Sequence, residues 1–489
     1  MNATLTFVLG LTLAGILPAI GIAGFTPAFI FLSPLVGAVT AGVAVELEIG
    51  LGGTLLLWFI VLAVVLNAVA LGVLIRRPSL LVWQIRGWSL VTIVVLLVVL
   101  AIPLTGIRAH EVGYDGAITW TTHALLISGG HSTLVSGLQN PAYLPSNPDY
   151  PPLVPAVGAL GYSFAGHTVL TLESELAALL NAAAIGVVGV GIATVCRSAT
   201  RRDNILAIVV AAVSSLAAFS VGGNFIHVGN YGVDGDADLL WAAAAAAAVL
   251  WGLVLPHRRS SLSIAWTCAI VASLTKNEGL VTAIAILLLI ALRYGHPRFE
   301  LRRSNGESTF RTCARSWGLL LAMWIAPTIP GLVWLAQMHL LGVQNYFFGS
   351  ARAESLHVRA SATAHAMANS EDILLVAVLV VAIGCIWFRD SRRHAGLGHP
   401  LWLWTAWAVG NTLIAAIYVF GDLEIHTWLT ESVDRTTIYG KLLVLVEIAV
   451  WAVLTGSQLM DTYLCDFRPR GERGDTAQSP IPALVGPEK

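Results

Sequence analysis

The sequence predicts an all-α polytopic membrane protein with about 13 transmembrane helices, each long enough to cross the hydrocarbon core. The composition is the first reason: 56% of the residues are hydrophobic and only 11% are charged, whereas soluble domains carry about 25% charged residues. The second reason is that apolar runs of roughly 17–25 residues, the length of a transmembrane helix, recur along the chain.

The expected spans follow these runs from the N-terminus. Three of them lie in an N-terminal extension with its following loop, 1–87. The others belong to a core, 88–456, and a short tail, 457–489, is expected to be disordered because it is polar and rich in Pro and Arg. The predicted spans are 4–23, 27–45, 52–75, 88–106, 175–196, 204–221, 238–255, 262–275, 277–294, 316–338, 372–388, 400–420 and 436–456.

The basic residues predict the orientation of these spans. Most of the chain's 27 Lys and Arg residues fall in alternate loops and in the tail, and loops rich in Lys and Arg stay in the cytoplasm. The C-terminus is therefore expected in the cytoplasm of a multi-pass plasma-membrane protein. The loops 107–174 and 422–435 are expected outside. Acidic residues beside the outer ends of spans, such as Glu46 and Glu48, are expected to be loop residues that complement this charge pattern.

The loop 107–174 is the largest in the prediction, and it is polar and acidic. It is expected to hold juxtamembrane helices, one beginning near Ala117 and one after Pro151-Pro152, because proline is tolerated in a first helical turn. Asp115 and Glu111 lie close to the preceding span, where a carboxylate can have a raised pKa and act as a general base on a hydroxyl. The alternative for Asp115 is a helix N-cap.

Asp149 and Tyr150 directly precede the Pro-Pro pair. This position presents Asp149 near a helix N-terminus, so the carboxylate is a second catalytic candidate. The alternative is a helix cap without a chemical role.

Lys276 and Glu278 occupy a short polar break between two apolar segments. An ionisable residue at membrane depth is a candidate functional group, and a lysine there can bind a lipid-borne phosphate as a point charge. The alternatives are a Lys276–Glu278 pair and a lysine whose stem reaches the interface.

Arg435 and His426 lie in the polar loop before the last span. An arginine can hold phosphate through two hydrogen bonds. The alternative is an ordinary loop in which Asp434 pairs with Arg435. Asp234 and Asp236, in a separate acidic loop with Asp238, are candidates for a divalent cation, although their spacing is not that of an EF-hand.

These motifs, in this order and on one side of the membrane, resemble the GT-C superfamily of glycosyltransferases, including the protein mannosyltransferases and aminoarabinose transferases. The resemblance runs from about 88 to 456 and rests on Tyr114-Asp115-Gly116 with Trp120, Asn147-Pro148-Asp149-Tyr150-Pro151-Pro152-Leu153, Leu274-Thr275-Lys276-Asn277-Glu278-Gly279, and the late Asp422, His426, Thr430, Ser432 and Arg435.

The resemblance implies a hexosyl- or pentosyltransferase that moves a sugar from a polyprenyl-phosphate donor to an outer glycan, lipid or protein acceptor. It implies Asp115 as the base, Asp149 beside the donor phosphate or acceptor, and Lys276, Arg435 and His426 at the donor. No nucleic acid and no organic cofactor are expected, and a metal is optional because cationic side chains can serve the phosphate. The chain departs from the family by its three additional N-terminal spans and by lacking a large C-terminal outer domain.

Other functions agree with the same composition. A transporter or flippase of lipid-linked precursors would place ionisable residues at mid-bilayer in two repeated halves, and the sequence shows no convincing symmetry of that kind. A ligase or polymerase of the O-antigen type would have its large outer loop late in the chain. A non-catalytic subunit of the same fold is a further alternative.

Overall fold

The computed structural model of the protein describes residues 3–82, 85, 87–106, 116–199, 204–221, 237–256, 258–294, 324–345, 354–370 and 389–466. Within these ranges all regular secondary structure is helical. The helices are α1 (Ala3–Ala23), α2 (Ala28–Leu51), α3 (Leu55–Arg76), α4 (Trp88–Gly106), α5 (Thr122–Ser128), α6 (His131–Leu138), α7 (Leu153–Ala165), α8 (Leu170–Ala199), α9 (Asn204–Val221), α10 (Asp238–Val249), α11 (Arg259–Thr275), α12 (Asn277–Tyr294), α13 (Ile329–Leu340), α14 (Leu356–Ser370), α15 (Arg389–His394), α16 (Pro400–Phe420), α17 (Ile425–Thr436) and α18 (Ile438–Asp466).

Seven of the described helices are long and apolar enough to cross a membrane: Ala28–Leu51, Leu55–Arg76, Glu175–Ala199, Asn204–Val221, Asn277–Tyr294, Pro400–Phe420 and Ser432–Gly456. The chain is therefore a helical membrane protein, as its composition predicts. Several other predicted spans are shorter apolar helices, among them Phe7–Ala23, Trp88–Ile102 and Asp238–Val254. The predicted span 372–388 lies outside the described residues, and the count of 13 stays a prediction.

The N-terminal helices are packed into the core. Helices α1 and α2 approach so closely that a Cβ atom on Gly15 would lie 2.0 Å from the carbonyl oxygen of Ser33, and one on Gly37 would lie 2.2 Å from that of Leu11. Small residues permit this approach between membrane helices. Helix α2 also packs against α7, α8, α11 and α13. Of the three helices, α2 is the interior one, and α3 presents most of its surface outward.

The end of α2 differs from the prediction. The helix continues to Leu51 and takes in Glu46 and Glu48, which were expected in a loop and are both buried. Two long-range hydrogen bonds secure this end. Gln337 Nε2 in α13 donates to the carbonyl oxygen of Glu46 at 2.8 Å, and the His131 ring contacts that of Glu48 at 2.8 Å. A carboxylate buried beside other helices can continue a helix that hydropathy alone would end.

Helix α10 runs through the centre of the bundle. Its alanines, Ala242 to Ala248, are fully buried, and the helix packs against α8, α11 and α18. The alanine run predicts such close packing because small side chains let helix backbones approach. The consequence for function is that Asp238, the first residue of α10, is held inside the protein.

The loop after α4 folds into short helices from Gly116 onward. A π-helical turn, Gly116–Thr121, leads into α5 and α6, and a 3₁₀ turn, Pro141–Ser146, precedes α7. Helix α7 begins at Leu153, directly after Pro151-Pro152, which confirms the helix predicted there. It is buried from Leu153 to Tyr162 and packs against α2, α5 and α8. The helix is therefore an element of the core.

Candidate functional site

Asp149 reaches the interior through a tight turn before α7. Asn147 has a φ of +53°, and its N–H donates to the carbonyl oxygen of Leu144 at 3.1 Å; asparagine tolerates this left-handed conformation better than most residues. The Asp149 carboxylate is 3% exposed. Its Oδ2 accepts hydrogen bonds from Asn277 Nδ2 at 2.8 Å and from Asn345 Nδ2 at 2.5 Å. Its carbonyl oxygen accepts one from Trp334 Nε1 at 2.9 Å.

These contacts exclude the helix-cap interpretation of Asp149. The Asp149 side chain does not cap α7, because the N-cap position is Pro152 and no side chain caps the helix there. The carboxylate instead joins residues distant in sequence. Its second oxygen, Oδ1, is buried and has no hydrogen-bond donor in the described part of the chain. A buried acceptor without a donor is unusual and calls for an explanation.

Burial shifts the titration of Asp149. Removing the carboxylate from water disfavours its charged form, and this raises the pKa of Asp149 from 3.8 to about 6. Glu278 adds to the rise through its negative charge, whereas the hydrogen bonds to the carboxylate, including those from Asn277 and Asn345, oppose it. A carboxyl group with a pKa of about 6 is ionised at neutral pH and can still accept a proton readily, as a general base must.

Two cations converge on Asp238, at the N-terminus of α10. Lys276 Nζ lies 2.7 Å from Asp238 Oδ1, and both side chains are buried. Arg435 Nε lies 3.8 Å from Asp238 Oδ2. Trp241, one turn further along α10, donates from Nε1 to Asp238 Oδ1 at 3.2 Å. Lys276 thus pairs with Asp238 on another helix, and its charge also acts on Glu278.

The break between α11 and α12 places Lys276. Helix α11 ends at Thr275, Lys276 has extended backbone angles, and α12 begins at Asn277. The two helices approach so tightly that a Cβ atom on Gly279 would lie 2.1 Å from the carbonyl oxygen of Ala272. A single extended residue between two helices lets Lys276 reach Asp238 while the neighbouring Asn277 reaches Asp149.

Tyr150 forms an aromatic wall of the site. Its ring stacks on Trp120 with 5.7 Å between centroids, and Lys276 Nζ lies 5.3 Å from the Tyr150 centroid, within the range of a cation–π contact. Burial raises the pKa of the Tyr150 phenol well above its usual 10, and the neighbouring charges of Glu278, Asp238 and Asp149 add to this. Tyr150 therefore stays a neutral phenol at physiological pH.

We refer to Asp149, Asp238, Lys276, Glu278 and Arg435 as the ionic cluster. Asp238, Lys276 and Glu278 lie at or next to helix termini, Asp149 lies in the turn before α7, and Arg435 lies in the last turn of α17. The ends of several helices therefore meet at the cluster. Five residues predicted from sequence meet here: Asp149, Tyr150, Lys276, Glu278 and Arg435. Glu278 lies in the first turn of α12; the residue is partly exposed, but its carboxylate oxygen Oε2 is buried.

Other predicted residues lie elsewhere. Asp115, Glu111, Asp234 and Asp236 fall outside the described residues, and their roles stay predictions. His426 lies on α17, where a helix replaces the expected loop, and Asp434 contacts Ser370 and Lys441. His426 precedes Arg435 by about 2.5 helical turns, so the two side chains leave opposite faces of α17. His426 lines a separate groove between α14 and α17.

Three residues of the site are not predicted from the sequence to belong to it. Asp238 was noticed only as part of an acidic loop, although a lysine at membrane depth requires a buried partner. Asn277 belongs to the motif Leu274–Gly279, but the sequence assigns it no role. Asn345 gave no signal in the sequence, since an isolated asparagine after a helix is common in loops.

A metal site is not evident in the ranges that the structure describes, because no three His, Cys, Asp or Glu side chains are placed there to hold an ion. The described ionic cluster sets two cations, Lys276 and Arg435, among three acids, Asp149, Asp238 and Glu278.

No protein-family model, curated protein or solved structure matches this chain. The candidate function therefore rests on the motifs and on the geometry of the ionic cluster.

Proposed function

We propose that the protein is a membrane glycosyltransferase that moves a sugar from a polyprenyl-phosphate donor to an acceptor on the extracytoplasmic side. The observation that supports this most is the convergence, at one end of the helices, of two cations with a buried carboxylate whose Oδ1 lacks a described donor. Phosphate recognition and proton abstraction are the two tasks of such a transfer, and Lys276 with Arg435 and Asp149 suit them. The resemblance of the motifs to the GT-C superfamily supports the same reaction.

The cations would bind the donor phosphate. Lys276 and Arg435 share Asp238, whose carboxylate keeps them close together and paired inside the protein. Cations held in this way are preorganised for an anion, so little rearrangement is needed when charge develops on a leaving group. A phosphodiester of the donor would take over part of the pairing that Asp238 provides. Glu278 opposes this binding by its own negative charge.

The base would be a carboxylate at the acceptor hydroxyl. Asp149 is the candidate whose surroundings are described, and Asp115 and Glu111 are the candidates predicted from the loop before it. In the proposed step the base takes the hydroxyl proton, the hydroxyl oxygen bonds to the anomeric carbon, and the bond from that carbon to the phosphate oxygen breaks. Polyprenyl phosphate leaves with the electron pair, and one displacement of this kind inverts the anomeric centre.

A transporter of lipid-linked precursors is the second candidate, favoured by one observation. Glu447 lies within α18, is fully buried, and pairs with the buried Arg392 of α15. Interior ionisable residues are typical of transport pathways. The described ion pair is, however, balanced between two side chains, and Arg392 also donates to the carbonyl oxygen of Gly398. It therefore also suits a structural link between helices.

A transfer assay separates the two functions. The purified chain in proteoliposomes is incubated with a panel of radiolabelled polyprenyl-phosphate sugars and an extract of envelope glycans as acceptor. We expect label to move from the lipid to a water-soluble or glycolipid product with one of the sugars. Movement of intact labelled lipid between leaflets without bond cleavage, for every sugar in the panel, would contradict the proposal and favour the transporter.

A further inference from the structure

The groove between α14 and α17, called the α14–α17 groove below, is a concave site on the described surface. Its volume is about 420 Å³, within the range of small-ligand sites. Six polar side chains line it: His365, Asn369, Ser370, His426, Thr430 and Asp434. Its apolar lining comes from Ala362 and Ala366 of α14 and from Leu429 and Val433 of α17.

Both walls present their polar groups at helical spacing. His426, Thr430 and Asp434 follow each other at intervals of four residues on α17, so they stand on one face of that helix. His365 and Asn369 are likewise four residues apart on α14, and their side chains meet at 3.1 Å. The groove therefore offers two rows of donors and acceptors with an apolar strip between them.

The walls are held in place by α16. Arg359 of α14 is fully buried and donates to the carbonyl oxygens of Tyr418 at 2.7 Å and Leu423 at 2.7 Å. The Tyr418 hydroxyl meets Ser432 Oγ at 2.8 Å and Thr436 Oγ1 at 2.9 Å on α17. Helices α14 and α17 are thus both tied to the end of α16. The groove is preformed.

The charge of the groove differs from that of the ionic cluster. Among the described residues, Asp434 is the only acid that lines the groove; Lys441 Nζ lies 4.0 Å from its carboxylate, and the Ser370 hydroxyl donates to Asp434 Oδ1 at 2.5 Å. One acid beside one base gives no excess of either sign. A site of this kind does not select phosphate. Its hydroxyl, amide, imidazole and carboxylate groups suit a ligand with many hydroxyls.

We propose that the α14–α17 groove binds a neutral glycan. Sugar hydroxyls would pair with Asn369, His426, Thr430 and Asp434, and the apolar face of a sugar ring would lie on Leu429 and Val433. Naming this glycan the acceptor rests on the proposed function; glycan binding itself does not. Because Arg435 leaves the opposite face of α17, this helix stands between the groove and the ionic cluster and could carry both ends of a transfer site.

The test uses the full chain in lipid nanodiscs on an array of neutral and anionic oligosaccharides, followed by dissociation constants for the neutral compounds bound. We expect neutral compounds to bind and His426→Ala with Asn369→Ala to weaken this binding at least tenfold. Both side chains are exposed, so the fold should persist, and thermal unfolding checks this. His394→Ala on α15, also exposed, is the matched control and should bind like the wild type.

Binding of polyprenyl phosphate to the same samples separates the test of the glycan site from the test of the transferase proposal. Lipid binding should be unchanged in the His426→Ala, Asn369→Ala variant. The glycan site would be overturned if the wild type bound no neutral glycan at millimolar concentration. It would also be overturned if the wild type and the His426→Ala, Asn369→Ala variant bound glycan equally, whatever the result for the lipid. Glycan binding that depends on the groove, with no sugar transfer from any donor, would retain the groove and contradict the transferase.

Discussion

Two of the ionic sites buried in the described part of the chain differ in how their charges are matched. In the first, Arg392 of α15 and Glu447 of α18 pair one to one, and both are at most 1% exposed. In the second, Asp238 is shared by Lys276 and Arg435, and two further carboxylates, Asp149 and Glu278, act on the same site. A matched pair inside a protein suits a structural link, whereas an uneven cluster at helix ends suits an exchange of partners with a ligand.

The largest effect is expected at Asp149. Asp149→Asn keeps the size of the side chain and removes its ability to accept a proton, so sugar transfer should fall roughly 10²–10⁴-fold if Asp149 is the base. The measurement is kcat with the donor identified in the transfer assay. Unchanged kcat would exclude Asp149 as the base and leave the role to Asp115 or Glu111.

Glu447 should matter for stability and little for transfer. Glu447→Ala leaves Arg392 as a buried cation without its acid, which costs about 3–5 kcal/mol. Thermal unfolding in detergent should show this loss. Arg392→Met together with Glu447→Leu should restore most of the stability, since an apolar pair of similar size avoids the cost of burying charge. A single variant as stable as the wild type would contradict the structural role.

The pH dependence of stability should reveal the buried carboxyl of Asp149. Its pKa is about 6 in the folded protein and 3.8 in the unfolded chain, so folding favours the protonated form. The stability from this preference is fully present below pH 3.8 and is lost as the pH rises to about 6. At neutral pH the loss is on the order of 3 kcal/mol, at 1.36 kcal/mol per pKa unit. Asp149→Asn should remove this slope.

Unfolding midpoints of wild type and Asp149→Asn between pH 3 and 8 provide the test. The variant should be the more stable protein above pH 6, and the difference should shrink toward pH 4. Transfer by the wild type should rise with pH through about 6, because the ionised form is the base. Parallel stability curves for the two proteins would contradict the burial effect.

Arg435 should contribute to donor binding. Arg435→Gln removes a charge-assisted interaction of about 1.5–3 kcal/mol, so the KM for the donor should rise about tenfold or more. Arg393→Gln is the matched control, since Arg393 is an exposed arginine on α15 and should leave KM unchanged. An equal KM in the two variants would remove Arg435 from the phosphate site.

The smallest effect is expected at Glu278. Glu278 is partly exposed as a residue, but its Oε2 is buried and its charge acts on Lys276, so removing that charge should strengthen the binding of an anion. Glu278→Gln should therefore lower the KM for the donor a few-fold. A weaker affinity in the variant would show that Glu278 orders the site by other means.

The class of fold and four of the five residues of the ionic cluster could be predicted because the signals are local. Apolar runs predict membrane helices, and Pro151-Pro152 indicates the start of α7. Lys276 is a candidate because lysine is rare at membrane depth. These features depend on the composition of a short stretch and do not require knowledge of which helices pack together.

The pairings could not be predicted, because they depend on packing. The sequence offers Glu278 as a partner of Lys276 because the two are close along the chain, but it does not show that Lys276, in an extended break, also reaches Asp238 on α10. His426 and Arg435 were grouped because 422–435 was expected to be a loop. Once the segment is a helix, its periodicity places them on opposite faces.

Binding of polyprenyl phosphate, compared with the corresponding polyprenol, tests the central claim most directly. The two lipids differ only in the phosphate, and both can be titrated against the chain in nanodiscs. The wild type should bind the phosphate at least tenfold more tightly. Lys276→Met with Arg435→Gln and Asp238→Asn, which removes both cations together with the acid that they share, should abolish this preference. Equal affinity of the wild type for both lipids would contradict a phosphate site at Lys276 and Arg435.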